Sequence, residues 1–231
     1  MLETQSLCLK YGQSQILYDV SLTADTGKVT AVMGTNGVGK TSLLKAIAGR
    51  HPYSAGEINV DSNRLNHASP AQAAKSGIAY VPQGREVFPM MSVQENLETG
   101  FACLPSDERF IPDDIFALFP VLKDMKHRRG GDLSGGQQQQ LAIARALITK
   151  PKVLLLDEPT EGIQPNIIEQ IGQTISVLRD RGDMAIILVE QNAPFAFKFA
   201  DRFIHMTRGA VTRSVDKVDY SMDGLLEDLA L

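Results

Sequence analysis

Residues 29–41 read Val-Thr-Ala-Val-Met-Gly34-Thr-Asn-Gly-Val-Gly39-Lys40-Thr41. The opening five are apolar or β-branched and describe a short buried strand, and Thr41–Arg50 carries the apolar spacing of a helix. The turn between them matches the phosphate-loop pattern of two glycines, a lysine and a serine or threonine. Glycines let successive backbone N–H groups turn inward into a concave anion nest, and the helix N-terminus adds a dipole that favours phosphate. Lys40 would neutralise β- and γ-phosphates, and the Thr41 hydroxyl would ligate Mg²⁺. The candidate nucleotide-binding residues are therefore Gly34, Thr35, Asn36, Gly37, Val38, Gly39, Lys40, Thr41 and Ser42.

Composition narrows what surrounds this loop. At 231 residues the chain is long enough for one sizeable core. Its formal net charge of −4 argues against a dedicated nucleic-acid binder, which usually shows a basic excess. Two cysteines, Cys8 and Cys103, are too few for a disulfide scaffold and point to a reducing compartment. The longest unbroken apolar run, Met184–Val189, falls far short of the ~20 residues that span a bilayer. No basic segment followed by an apolar core marks the N-terminus, so a soluble, cytoplasmic chain is expected.

Along the chain, residues 3–10 and 16–23 alternate around a turn at Tyr11–Ser14 and predict an antiparallel pair. Residues 57–66 read as another exposed strand with turns, and Ile78–Val81 as a short strand ending at Pro82. From Phe88 to about Lys150 helical patterns are broken by Pro105, Pro112 and Pro120, which reads as a helical insert. Val153–Leu156 and Ala185–Val189 are buried strands, with an amphipathic helix over Ile167–Arg181 between them. Phe203–Met206 and Ala210–Ser214 form a candidate hairpin around Gly209, and 222–231 a short helix with Leu225, Leu226 and Leu229 on one side. Buried strands separated by helices imply an α/β core with a mainly parallel sheet. One domain over 1–231 is expected. Residues 1–87 and 151–231 would form the nucleotide-binding core with its antiparallel β part, and 88–150 the helical part.

Two further motifs bear on chemistry. Val153-Leu-Leu-Leu-Asp157-Glu158 ends a buried strand with two carboxylates. Asp157 would hold Mg²⁺ and Glu158 would orient and deprotonate the attacking water. Leu133-Ser134-Gly135-Gly136-Gln137 precedes a helical run, so Ser134 reads as an N-cap and the glycines expose backbone N–H groups. This is either a second anion site or only a helix cap.

Together these residues resemble the ATP-binding subunits of the ATP-binding cassette (ABC) family over nearly the whole chain. The motif order matches: Tyr11, the phosphate loop, Val81-Pro82-Gln83, the Leu-Ser-Gly-Gly-Gln signature and the Asp157–Glu158 pair. The resemblance implies an α/β phosphate-loop NTPase fold and hydrolysis of ATP with Mg²⁺. It implies that Tyr11 stacks on adenine, although alone Tyr11 reads more readily as a half-buried strand tyrosine. It gives Gln83 the sensing of γ-phosphate and Mg²⁺, and Ser134, Gly135, Gly136 and Gln137 contact with ATP held by the other subunit of a head-to-tail dimer. Membrane permease chains, a second ATPase subunit and, indirectly, a solute-binding protein would be the partners, with no nucleic acid. The expected location is peripheral, on the cytoplasmic face of the plasma membrane.

Two positions depart from the family pattern. Gln191 stands where many members carry a histidine that grips the γ-phosphate, and Gln164 where an aspartate is usual. An amide still donates a hydrogen bond but cannot become a cation, so Gln191 stays a candidate catalytic contact beside Glu158 and Lys40. The Glu190-Gln-Asn192 stretch resembles importers of branched-chain amino acids and amides. Gly84–Pro89, Leu118–Lys123, Met125–Asp132, Gln137–Gln140 and Pro159–Pro165 resemble the second ATP-binding subunit of urea-type importers. Phe88-Pro-Met-Met91 suits either a groove for a permease helix or core packing.

Overall fold

The computed structural model describes residues 1–230. Strands β1 (Leu2–Tyr11) and β2 (Ser14–Ala24) pair antiparallel from Leu2↔Ala24 to Tyr11↔Ser14. With β4 (Ala55–Val60) and β5 (Asn63–Arg64) they make a four-stranded antiparallel sheet in the order β2-β1-β4-β5. The second sheet uses β3 (Val29–Met33), β6 (Ile78–Val81), β7 (Val153–Asp157), β8 (Ala185–Val189), β9 (Arg202–Thr207) and β10 (Ala210–Asp216). Its order is β10-β9-β3-β8-β7-β6, parallel throughout except for the β9–β10 hairpin.

The continuous apolar character of β7 and β8 follows from burial on both faces. Leu154, Leu156, Ile186 and Leu188 point into one core, with the helices that cover that face. Their alternates Val153, Leu155, Ala185, Ile187 and Val189 point into the other. There they meet Leu43, Leu44 and Ile47 of α1 (Lys40–Ile47) and the inner residues Leu7, Leu9 and Leu17 of the antiparallel sheet. The phosphate loop is thus gripped between the two sheets.

Between residues 88 and 150 the described elements are helical apart from one isolated bridge, Ser92↔Arg129. After α2 (Pro70–Lys75) come α3 (Val93–Glu98), α4 (Asp113–Leu118), α5 (Pro120–Asp124) and α6 (Gly135–Ile148). The prolines act where their missing N–H does least harm: Pro112 precedes α4 and Pro120 opens α5. Then α7 (Pro165–Arg181), α8 (Ala193–Phe199) and α9 (Met222–Ala230) complete the fold.

Four points differ from the sequence reading. The helices α2 and α8 were not expected. Each is a short segment opened by a capping side chain, Ser69 and Asn192, with a proline in its first turn. In α9, Leu225 is buried and Leu229 packs against the same core, but Leu226 is 49% exposed. One residue advances a helix by about 100°, so only the four-apart pair shares a face. Met90 is 73% exposed, which removes core packing as its role, and Phe88 is 47% exposed. No helix among the described residues is long and apolar enough to cross a membrane.

Candidate functional site

The loop leaves β3 through Gly34 (φ 149°), whose Cα lies against the Met206 carbonyl so closely that a Cβ has no room. It enters α1 through Gly39 (φ 105°), where a Cβ would stand 2.8 Å from Leu17 Cδ2. Gly39 caps α1 with no side-chain hydrogen bond, and the first turn holds no acidic residue. No carboxylate of the first turn and no capping side chain neutralises the positive end of this helix.

Lys40 is only 5% exposed and folds back over the loop. Its Nζ donates to the Gly34 and Thr35 carbonyls at 2.7 and 3.0 Å. Burial holds its ammonium below the ordinary lysine range, against the attraction of Glu158, Asp157 and Glu190. Asp157, 1% exposed at the end of β7, accepts from the Thr41 hydroxyl at 3.1 Å through Oδ1 and from the Tyr80 hydroxyl at 2.9 Å through Oδ2. Burial pushes the Asp157 carboxyl up, and those two donors oppose the shift.

Glu158 sits at φ 47°, a left-handed conformation that costs a non-glycine residue about 1–3 kcal/mol. Its N–H donates to the Val189 carbonyl at 2.9 Å, which anchors the turn. Two amides grip its carboxylate: Gln191 Nε2 donates to Oε1 at 2.6 Å and Gln83 Nε2 to Oε2 at 3.2 Å. Gln83 also donates to Glu161 Oε2 at 2.9 Å. Beneath them Glu190, 2% exposed, accepts the Thr160, Gln191 and Asn192 N–H groups at 3.1, 3.1 and 3.2 Å. Burial pushes the Glu190 carboxyl up while these bonds favour its charge. The turn after β7 and the turn after β8 are thereby fastened to one another.

These groups open onto a cavity of about 280 Å³ walled by Ile16, Asn36, Gly37, Gly39, Lys40, Thr41, Ser42, Gln83 and Glu158. Thr35 is exposed, and Val38 turns its side chain into the core. Tyr11 is not part of this wall; it is 42% exposed, with its ring centroid 4.1 Å from that of His51. The signature also stands apart. Ser134 caps α6, its side chain accepting the Gln137 N–H at 3.4 Å while Gln137 Oε1 accepts the Ser134 N–H at 2.9 Å. Gly135 lies beside the Arg85 guanidinium, and Gly136 is packed against Ile167.

A family model described as ABC transporter matches residues 17–161, a span that runs from β2 through the phosphate loop and signature to the turn after Glu158. The chain belongs to the ABC transporter family. As a member it binds ATP and is an ATPase. It is 41% identical over 212 residues to the high-affinity branched-chain amino acid transport ATP-binding protein BraG of Pseudomonas aeruginosa, covering 91% of each chain. It is 38% identical to a probable branched-chain amino acid transport ATP-binding protein, LivF, of Archaeoglobus fulgidus, covering 91% of this chain and 90% of that one. Among solved structures, the dimeric post-hydrolysis cassette MJ0796 bound to ADP and Pi superposes with a TM-score of 0.82 at 25% identity, over 94% of this chain and 99% of that one. The ADP conformation of the cassette MJ1267 gives 0.81 at 26% identity, over 99% and 95%.

Four members of this ABC site escape a reading by motif: Ile16, Tyr80, Glu161 and Glu190. Glu190 had a signal, a carboxylate closing a fully buried strand next to Gln191. Tyr80 had none locally. Its hydroxyl meets Asp157 only because β6 runs parallel to β7 with Tyr80 opposite Leu155.

Proposed function

We propose that this ABC ATPase is the energising subunit of an importer for a small polar solute, with urea as the cargo. What supports it is one cavity walled by Lys40, Thr41, Gln83 and Glu158, with Asp157 hydrogen-bonded to Thr41 and Gln191 to Glu158. In this reading Gly34–Ser42 cradle the triphosphate and Lys40 moves from its own loop carbonyls to the β- and γ-phosphates. The Thr41 hydroxyl and Asp157 carboxylate are hard oxygen donors 3.1 Å apart, a pair that suits Mg²⁺ shared with phosphate oxygens. Gln83 completes that set of candidate metal contacts. The metal would supply charge neutralisation on the phosphates.

Glu158 takes the proton of the attacking water, held in place by the two amides. Gln191 thus orients the base as well as donating toward the γ-phosphate. Tyr11 stacks on adenine, and Ser134, Gly135, Gly136 and Gln137 contact nucleotide bound to a second ATPase chain. Residues 1–231 act as one unit, with 88–150 as its helical part. Membrane permeases would seat a helix in the groove of about 350 Å³ walled by Tyr80, Phe88, Cys103 and Arg145. A solute-binding protein would deliver the cargo, and the chain would lie at the cytoplasmic face of the membrane.

Branched-chain amino acids are the second reading, favoured by the names of the 41% and 38% identical relatives. No residue of this chain touches cargo in either reading. Uptake of labelled urea and labelled leucine in cells lacking this gene separates the two. Loss of urea uptake alone supports the first, and loss of leucine uptake alone replaces it with the second.

A further inference from the structure

The Tyr80 ring walls the groove described above, but its hydroxyl has no role assigned so far and is 2.9 Å from Asp157 Oδ2. It lies on β6, the edge strand of the central sheet, one strand away from the carboxylate it meets. The ring is half-buried and held from several sides. Arg50 lies over its face at 5.5 Å from the centroid, and Arg50 is itself fixed by Glu86 at 2.9 Å. Another edge of the ring forms part of the groove with Phe88 and Arg145. A ring held on these sides fixes the place of its hydroxyl oxygen beside Asp157.

We propose that Tyr80 is a positioning residue for the metal site. Its hydroxyl occupies Oδ2 of Asp157 and so turns Oδ1 toward Thr41, the side on which a divalent cation meets phosphate. Asp157 is 1% exposed, so no bulk water can take over the work of orienting it. Without the O–H the carboxylate is free to rotate about its last bond, and the pair of oxygens presented by Thr41 and Asp157 loses its spacing. Hydrogen bonds to a ligating carboxylate commonly carry a 10–100-fold effect on metal affinity.

The inference rests on the nucleotide site proposed above, and its test separates the two. Tyr80→Phe removes one oxygen and keeps the ring, its stacking and the groove wall. A fluorescent ATP analogue is titrated onto wild type and Tyr80→Phe at a series of Mg²⁺ concentrations, and again in EDTA. The Mg²⁺ concentration for half-maximal enhancement of binding rises about tenfold in the variant, while affinity in EDTA stays at the wild-type value and the melting temperature falls by only about 2–6 °C. An unchanged or lowered Mg²⁺ midpoint overturns the proposal. So does an equal loss of affinity with and without Mg²⁺, which marks Tyr80 as a merely structural residue. If wild type itself shows no Mg²⁺-dependent binding, the fault lies with the nucleotide site and not with Tyr80. Tyr80→Leu, which also removes the ring, shifts the Mg²⁺ midpoint no further than Tyr80→Phe if the hydroxyl carries the effect.

Discussion

The phosphate loop and the signature are both glycine-rich helix starts with no acidic residue in the first turn, yet they are built in opposite ways. Gly39 leaves α1 without a side-chain cap, and buried charged groups stand ready around it: Lys40 at 5% exposure and Asp157 at 1%. Ser134 and Gln137 cap α6 reciprocally and face solvent or its edge. One helix start has no side-chain cap, and the other is capped by its own residues. In the proposed function the loop carries the ATP affinity of an isolated chain. In that proposal the signature engages by exchanging its own cap for a phosphate presented by a second ATPase subunit.

That contrast can be broken at either end. The largest effect is expected at Glu158. Glu158→Gln should cut steady-state ATP turnover by about 10²–10⁴ with nucleotide binding retained, because only the proton acceptor is lost. A radiolabelled phosphate-release assay checks this, and turnover within about tenfold of wild type would show that another group accepts the proton. Next comes Lys40→Ala, which should weaken ATP binding roughly 100-fold, the scale of losing a desolvated charge contact. Isothermal titration reads it, and an unaltered affinity would mean that the loop is not where ATP binds. Ser134→Ala sharpens the comparison from the other side. ATP affinity of the isolated chain should stay at the wild-type value, while turnover of the assembled ATPase falls about tenfold, as for one hydrogen bond to a charged acceptor. A large loss of affinity in the isolated chain would place the signature in the same site as the loop. The smallest effect belongs to Gln191→His, where one donor replaces another at Glu158. Turnover should hold within about threefold or rise, and its abolition in a folded protein would give Gln191 a role that an imidazole cannot fill.

Much of this was legible before the structure, for physical reasons that differ by residue. Gly34, Gly39 and Lys40 announce themselves because close backbone approach and a fixed charge demand those residue types at that spacing. Asp157 is legible because a carboxylate ending a run as apolar as Val153–Leu156 needs a reason to be there. The continuous apolar strands disclosed the parallel sheet, since burial on both faces removes alternation. What stayed hidden depends on register. Tyr80 reaches Asp157 from the neighbouring strand, and Gln83 reaches Glu161 across 78 positions of sequence. Short capped helices such as α8 were hidden too, because seven residues hold too few turns to show a period. Leu226 misled because three leucines in five residues look like one face until the rotation per residue is applied.

In the proposed function, nucleotide is held between the loop of one ATPase chain and the signature of another. The most direct measurement is a structure of the purified transporter complex carrying Glu158→Gln, determined with ATP and Mg²⁺. ATP should lie on the loop at Lys40, with Ser134 of this chain turned toward the γ-phosphate bound by the second ATPase chain. An empty loop at Lys40, or ATP bound there with Ser134 still capping Gln137 and no second chain facing it, would contradict the account.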